Sequence, residues 1–492
     1  MQGRPLPPRR GGGEEVKAGF ACFLFPSSGK FVSLFGAFFA RSFGMIQGNL
    51  SWIGWAMVVV FALAYLLVFG EEKLKLKKSK PVMLAAGLLW ILASLAYAAT
   101  DQPAAVTDKV RHVLTEYAEL FLFLLSAMSF VNAMIERNVF EALRGRLVAA
   151  RLSPRGLFWI TGGGAFVLSP VADNLTTALV MGTVVLSTLG NAKKALTPAL
   201  VNIVVAANAG GAFSPFGDIT TLMVWQKGVV AFSQFFQLFI PALINWLVPA
   251  ALLSFAMPSA GDEATARRVR VRHGGWVVVG LFLATVAGTV FLDHGLHLPP
   301  FLGMMTGLGA LNLYGAFLYR VERRALAETV TDPMASLAAP AETRRPFNIF
   351  EILGKVEWDT LLFFYGIMLC VGALGAVGLL AALSDFLYRD LGATTANVLI
   401  GLLSAVIDNI PLTFAVLTMN PPMDLGQWLL VTLTAGVGGS LLALGSAAGV
   451  ALMGIGKGAY TFVGHLKWSW ALLLGYAASV AAHLILNRAL FV

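Results

Sequence analysis

Apolar runs of about twenty residues recur along the chain, with short polar and mostly basic stretches between them. Eight runs have the length of a helix that crosses a bilayer: 51–70, 81–100, 116–136, 232–257, 276–292, 301–319, 359–379 and 466–490. Four other stretches break this pattern. Within 157–190, apolar arms at 157–168 and 178–190 are each short for a crossing. Between them stands Ser169-Pro170-Val171-Ala172-Asp173-Asn174-Leu175-Thr176-Thr177. Arg155 precedes the segment and Lys193-Lys194 follow it, so it starts and ends on one side and predicts a re-entrant hairpin. A second hairpin is expected over 394–418, around Ser404-Ala405-Val406-Ile407-Asp408-Asn409-Ile410-Pro411-Leu412-Thr413. Two longer runs, 195–227 and 427–459, are interrupted by Gly210-Gly211…Gly217-Asp218 and Gly438-Gly439…Gly445-Ser446. Glycines there, and Pro215 in the first, predict unwound helices.

The pattern is that of an all-α polytopic membrane protein with two re-entrant helical hairpins and two broken transmembrane helices. No segment alternates apolar and polar residues as a barrel strand would. The second part of the chain repeats the first in order. Glu119…Met128 matches Asp359…Met368, Asp173-Asn174 matches Asp408-Asn409, and the first glycine-rich break matches the second. Basic clusters set the orientation. Lys73, Lys75, Lys77, Lys78 and Lys80 mark one cytoplasmic loop, and Arg137, Arg144, Arg146, Arg151 and Arg155 another. The N-terminus is then outside, 116–136 runs inward and 359–379 runs outward, so the repeats are inverted. The expected divisions are an extension at 1–50, a first repeat at 51–230, connecting spans and a cytoplasmic linker at 231–355, and a second repeat at 356–492. The stretch 101–115 reads as an outer loop.

Composition narrows the function. The 492 residues are 58% hydrophobic and 12% charged, against roughly 25% charged in soluble domains. The formal net charge of +9 comes largely from the loop clusters, which speaks for the lipid bilayer as partner and not for nucleic acid. Cys22 and Cys370 form no ligand or disulfide pattern. Gly436-Val437-Gly438-Gly439 lies inside a span without the strand–turn–helix setting of a nucleotide fingerprint. There is no phosphate-binding loop motif and no nucleophile triad at membrane depth. The expectation is a carrier, not an enzyme, with no nucleotide and no cofactor.

An ionisable side chain at membrane depth is costly, and its default reading is functional. Asp173, Asp218 and Asp408 offer carboxylates. Asn174, Asn208 and Asn409 offer amide oxygens, and Thr176, Thr177, Thr220, Thr221, Ser404 and Ser446 offer hydroxyls. No Arg or Lys lies in either hairpin tip or either break. An oxygen-rich pocket without a fixed cation suits sodium. Burial penalises the charged form of a carboxylic acid, and a nearby carboxylate penalises it further; a bound cation does the opposite. Proton and sodium would therefore compete for Asp173 and Asp218. Plainer roles stand beside this reading. The aspartates can cap helices, and Thr220 and Thr221 can bond back to helical carbonyls. Glu119, Glu357 and Asp359 stand near span ends, where a solvated carboxylate is ordinary. Lys457 and His465 are expected to anchor at the cytoplasmic surface.

On these residues the chain resembles the NhaD-type sodium/proton antiporters of the ion transporter superfamily. The motifs that carry the likeness are at 169–177, 210–221, 355–368, 404–413, 438–453 and 457–468. The resemblance implies exchange of sodium, and also lithium, for protons across the inner membrane of a bacterium. It implies a scaffold, a mobile transport domain holding both hairpins, and a homodimer. By motif position, its functional polar residues fall on Asp173, Asn174, Asn208, Asp218, Thr220, Thr221, Ser404, Asn409 and Ser446. Glu119, Glu357 and Asp359 fall on family acidic positions. Ala443 stands where a family hydroxyl is expected, and residues 1–45 lie outside the likeness. The alternative is a dicarboxylate or arsenite carrier of the same superfamily; an ion channel is a further one.

Overall fold

The computed structural model describes residues 51–98, 104–189, 193–258, 270–330, 346–456 and 458–491. The extension at 1–50 and Lys457 lie outside the described residues. Every regular element among the described residues is helical. Eight helices there have the length and apolarity to cross a membrane, and the chain is an integral membrane protein.

In chain order the elements begin with α1 (Ser51–Phe69), the one-turn α2 (Glu71–Leu74), α3 (Ser79–Ala98), α4 (Ala105–Glu136) and α5 (Val139–Ala149). The first hairpin follows as α6 (Pro154–Ala172) and α7 (Asn174–Leu189), then the broken pair α8 (Lys193–Gly211) and α9 (Ile219–Gln226). A 3-10 segment leads into α10 (Phe239–Ser254), then α11 (Gly275–Leu296), α12 (Pro300–Val330) and the short α13 (Ile349–Gly354). The second part runs α14 (Trp358–Ala376), α15 (Leu379–Ser384) and a π-helical turn (Asp385–Asp390). Its hairpin is α16 (Ala393–Leu403) and α17 (Asn409–Met419). The second broken pair is α18 (Leu425–Gly438) and α19 (Ala447–Ile455), followed by α20 (Phe462–Leu466) and α21 (Ser469–Leu486).

Two expected loops are helical. The mixed-charge stretch before residue 116 forms the first turns of α4, a 32-residue helix. At 1.5 Å per residue it exceeds the ~30 Å apolar core of a bilayer, so Asp108, Lys109 and Arg111 can ride on turns beyond that core. Likewise α12 continues through Arg320–Val330, where 320–355 reads as a linker. No glycine or proline interrupts 104–136 or 316–330, so nothing in the sequence stops either helix.

The helices pack in two groups. In one, α3 lies along α14, α1 against α3, α4 against α12 and α14, and α11 against α12. In the other, α6 lies along α8, α16 along α18 and α10 along α21, while α7 meets α8 and α19. The two broken helices form the centre of this second group. All of α18 from Gly426 to Gly438 is buried, as is 195–211 of α8 apart from the partly exposed Thr197. A helix that is apolar all round belongs in an interior. By contrast α1 shows Trp52, Leu63 and Leu66 on one side, as a lipid-facing helix would. At one end of the first group Arg137 is wholly buried, not a surface loop residue. It pairs with Glu322 at 2.6 Å and Glu136 at 3.0 Å, and its guanidinium sits 4.7 Å from the Phe347 ring centroid. Two carboxylate partners make a buried guanidinium tolerable, although its Nε has no hydrogen-bond partner.

The repetition seen in the sequence reappears as matched contacts. Ser169 Oγ donates to the Ala207 carbonyl at 2.6 Å, and Ser404 Oγ to the Ala435 carbonyl at 2.8 Å. Each hydroxyl ties a hairpin tip to the end of a broken helix. Gly211 is so close to Gly217, and Gly439 to Gly445, that an added Cβ would sit 2.6 Å from a carbonyl oxygen in both cases. Both breaks therefore double back through a space only glycine fits.

Candidate functional site

The tips of the two hairpins and the two breaks face the first helix group across a cavity of about 130 Å³. One wall carries Asp173, Asn174, Asp218, Asp408 and Asn409; the other carries Phe123, Asn132, Phe282, Glu357 and Phe364.

Asp218 is the centre of the polar wall. The break leaves it in extended backbone just before α9, where its carboxylate caps the helix by accepting from Thr220 N at 3.1 Å through Oδ1. Its other oxygen, Oδ2, accepts from Asn174 Nδ2 of the first hairpin and Asn409 Nδ2 of the second, both at 3.2 Å. Asn174 Nδ2 also donates to Asn208 Oδ1 of α8 at 3.2 Å. Both hairpin tips thus converge on one buried carboxylate, and α8 joins through Asn174. The amides meet it with their nitrogens, not with the oxygens the sequence suggests; the carboxylate, as an acceptor, turns them so. Thr177 Oγ1, Asn208 Nδ2 and Thr220 Oγ1 are buried without a hydrogen-bond partner. Such atoms are rare in folded chains and mark a place that asks for further polar company.

Asp173 sits at the first hairpin tip, between α6 and α7, with φ 56° and ψ 161°. It caps α7: Oδ1 accepts from Thr176 N at 2.8 Å and Oδ2 from Thr176 Oγ1 at 2.9 Å. Asp408 caps α17 with a longer bond, 3.4 Å from Ile410 N to Oδ1. Capping does not remove these carboxylates from the cavity, which both line.

The remaining expected residues separate. Thr221 Oγ1 bonds to the carbonyls of Ser214 and Asp218, at 2.8 and 2.6 Å, and so braces the break. Ser404 clamps the second hairpin as described. Ser446 occupies the counterpart of Asp218, with nearly the same backbone angles, and caps α19 by accepting from Gly449 N at 3.3 Å. Glu357 lines the cavity and accepts from Thr360 Oγ1. Asp359 does not line it; its Oδ1 accepts from Ser79 Oγ at 2.5 Å. Glu119 lies elsewhere, in a second cavity with Glu116, Met223, Lys227, Met368 and Phe414. There Lys227 pairs with Glu116. Among the described residues no three His, Cys, Asp or Glu side chains gather as a transition-metal site would need.

The cavity is not free of fixed cations. Lys78 lines it, with Nζ 3.6 Å from Asp408 Oδ2. The hairpin tips and breaks indeed lack basic residues, but this one arrives from the start of α3, far away in sequence. His465 is likewise not at the surface. It is fully buried, 2.9 Å from the Ser440 carbonyl through Nε2 and 2.5 Å from Tyr460 Oη through Nδ1. A carbonyl only accepts, so Nε2 carries the proton and Nδ1 accepts from the tyrosine. The ring braces the second break. No pattern near Lys78 or His465 in the sequence points to these partners.

A protein-family model described as "Citrate transporter" matches residues 20–436. The chain is also 50% identical over 480 residues to a protein of Alkalimonas amylolytica named Na(+)/H(+) antiporter NhaD, covering 96% of this chain and 97% of that one. The NhaD of a Vibrio cholerae strain is 50% identical over 445 residues, with 90% and 93% covered. The chain belongs to the NhaD family of sodium/proton antiporters. A more distant relative, Sodium/proton antiporter 1 of Arabidopsis thaliana, is 31% identical over 455 residues, covering 89% of this chain and 74% of its own. The likeness to NhaD proteins reaches upstream of residue 45, contrary to the expectation from motifs alone. The match to the family model begins at residue 20. Motif reading missed this because 1–45 holds no polar cluster in an apolar run to align.

Proposed function

We propose that the chain is a secondary antiporter that exchanges sodium, and also lithium, for protons in the inner membrane of a bacterium, and that the cavity beside Asp218 is where both bind. The observation that carries the reading is the meeting of Asn174 and Asn409, one from each hairpin, on Asp218, with Asn208 held behind Asn174. An amide is nearly the same shape with its oxygen and nitrogen exchanged. When the carboxylate is charged and no cation is near, nitrogens face it. When sodium arrives, a half-turn of Asn174 and Asn409 presents oxygens to the same point. Asp218 supplies the charge, Thr220 Oγ1 a hydroxyl, and Asp173 a second carboxylate on the cavity wall. Asp408 is the third. Ser404, Thr221 and Ser446 act by holding the hairpin and the breaks, not by ligation.

Coupling follows from the shared carboxylates. A proton on Asp218 or Asp173 removes the charge that sodium needs, and sodium on them keeps the proton off. The apparent KM for sodium therefore rises as pH falls, while the maximal rate at saturating sodium holds. Alternating exposure by inverted repeats, with both hairpins re-entrant and the second helix group moving against the first, completes the proposal. We further propose an N-terminus on the outer side and two copies per assembly, which native mass measurement in detergent tests.

The family model's description favours a second reading, an anion carrier. The lining argues against it. Asp173, Asp218, Glu357 and Asp408 face the cavity against the lone Lys78 among the described residues. Carboxylates in that number repel an anion. The test is sodium-dependent proton flux in inverted vesicles. Asp173→Asn and Asp218→Asn are expected to insert normally and to lose flux; full exchange by both overturns the assignment. Labelled succinate or citrate uptake without a proton signal supports the anion reading instead.

A further inference from the structure

We propose that Lys78 is a tethered competitor at the cation site: its ammonium and the incoming sodium ion contend for the carboxylate of Asp408. The inference rests on the cation reading of the cavity. Lys78 Nζ lies 3.6 Å from Asp408 Oδ2 and 4.6 Å from the centroid of the Phe363 ring. Lysine and aspartate both line the cavity with Asp173, Asp218 and Asn409. The two come from opposite helix groups. Lys78 leads into α3, whereas Asp408 caps α17.

Several contacts fix the lysine there. Ser79, the next residue, is buried and donates to Asp359 Oδ1, which pins the start of α3 to the first turn of α14. Phe363, one turn further along α14, supplies the ring face under the ammonium. A family acidic position that does not reach the cavity, Asp359, thereby gains a part: it positions Lys78.

An ammonium and a sodium ion carry the same charge, so Asp408 cannot satisfy both at full strength. The lysine is covalently tethered, and its effective concentration at Asp408 is high whatever the medium holds. A cation that takes Asp408 must displace it. When the cation leaves, the ammonium returns and Asp408 is not left as an uncompensated carboxylate in a partly dry cavity. The consequence is a weaker apparent affinity for sodium than the carboxylates alone would set, and a pair across the seam that forms only when the site is free of cation.

The test uses the full chain in proteoliposomes, with KM and maximal rate for sodium measured separately at one alkaline pH. Lys78→Met is expected to lower KM about three- to tenfold, as for an ion pair whose two side chains are only 23% and 26% exposed. Lys78→Arg, which keeps the charge, stays near the parent. In an Asp408→Asn background, Lys78→Met leaves KM where Asp408→Asn alone puts it. An unchanged or raised KM in Lys78→Met overturns the proposal, as does an equal drop in the Asp408→Asn background. Should Lys78→Met be recovered poorly, equilibrium binding of labelled sodium to detergent-purified Lys78→Gln gives the same reading: tighter binding supports competition, and unaltered binding rejects it. Failure of the underlying cation reading shows separately, as undiminished exchange by Asp218→Asn.

Discussion

Asp173 answers two demands at one backbone position. Its side chain caps α7, and its φ of 56° with ψ of 161° lies in a region that glycine occupies freely and other residues avoid. Such a conformation costs about 1–3 kcal/mol in a non-glycine residue. Glycine would relieve it, yet the chain keeps a carboxylate there, which points to a task beyond shaping the tip. Asp173→Gly and Asp173→Ala both remove the cap, but only glycine fits the backbone. Asp173→Gly is therefore expected to melt at the higher temperature of the two in detergent, by about 1–2 kcal/mol of stability, while neither exchanges sodium. Equal melting would mean the strain is not felt. The identity of the polar residues was legible from the sequence because each stands alone in an apolar run. Their partners were not. Nothing in the spacing of Asn174, Asn208 and Asn409 says that the first and last meet Asp218 through their nitrogens, or that Asn208 accepts from Asn174. Lys78 was legible only as one of a basic cluster, since an ion pair between residues 78 and 408 leaves no local trace.

The broken helices show how an element can be specified by what it lacks. Gly211 faces Gly217 and Gly439 faces Gly445 with no room for a Cβ, because the obstructing atoms are backbone and cannot swing aside. Gly211→Ala and Gly439→Ala are each expected to lower folded yield or abolish flux. Gly280→Ala on α11, where nothing lies within 4 Å, is the matched control and should behave as the parent. Tolerance of alanine at both breaks would mean that their tight return is not needed. These breaks, and the hairpins, were readable as elements because glycine, proline and polar clusters interrupt apolar periodicity. Helix ends were less readable. The first turns of α4 and the last of α12 carry charges that look like loop, yet no residue there forbids a helix, and length beyond the bilayer explains the polarity.

Across the whole molecule the two helix groups meet along a seam that holds two separate cavities. The first opens beside Asp173, Asp218 and Asp408; the second beside Glu116, Glu119 and Lys227. Helices α9 and α17 run between them: Leu222 and Ile410 line the first, Met223 and Phe414 the second. Leu120, Phe123, Phe364 and Met368 from the other group are buried along the same stretch. Apolar side chains thus separate the cavity that holds the three aspartates from the one that holds Glu116 and Glu119. Glu119, which stands on a family acidic position near a span end, lines the second cavity and not the first.

The most direct test of the central claim, that one acidic cavity holds either sodium or a proton, is proton release from the purified protein when sodium is added in weakly buffered solution. The parent is expected to release protons on sodium addition, and Asp173→Asn with Asp218→Asn in one chain to release none. Sodium binding without proton release by the parent, or undiminished release by the double variant, would contradict it.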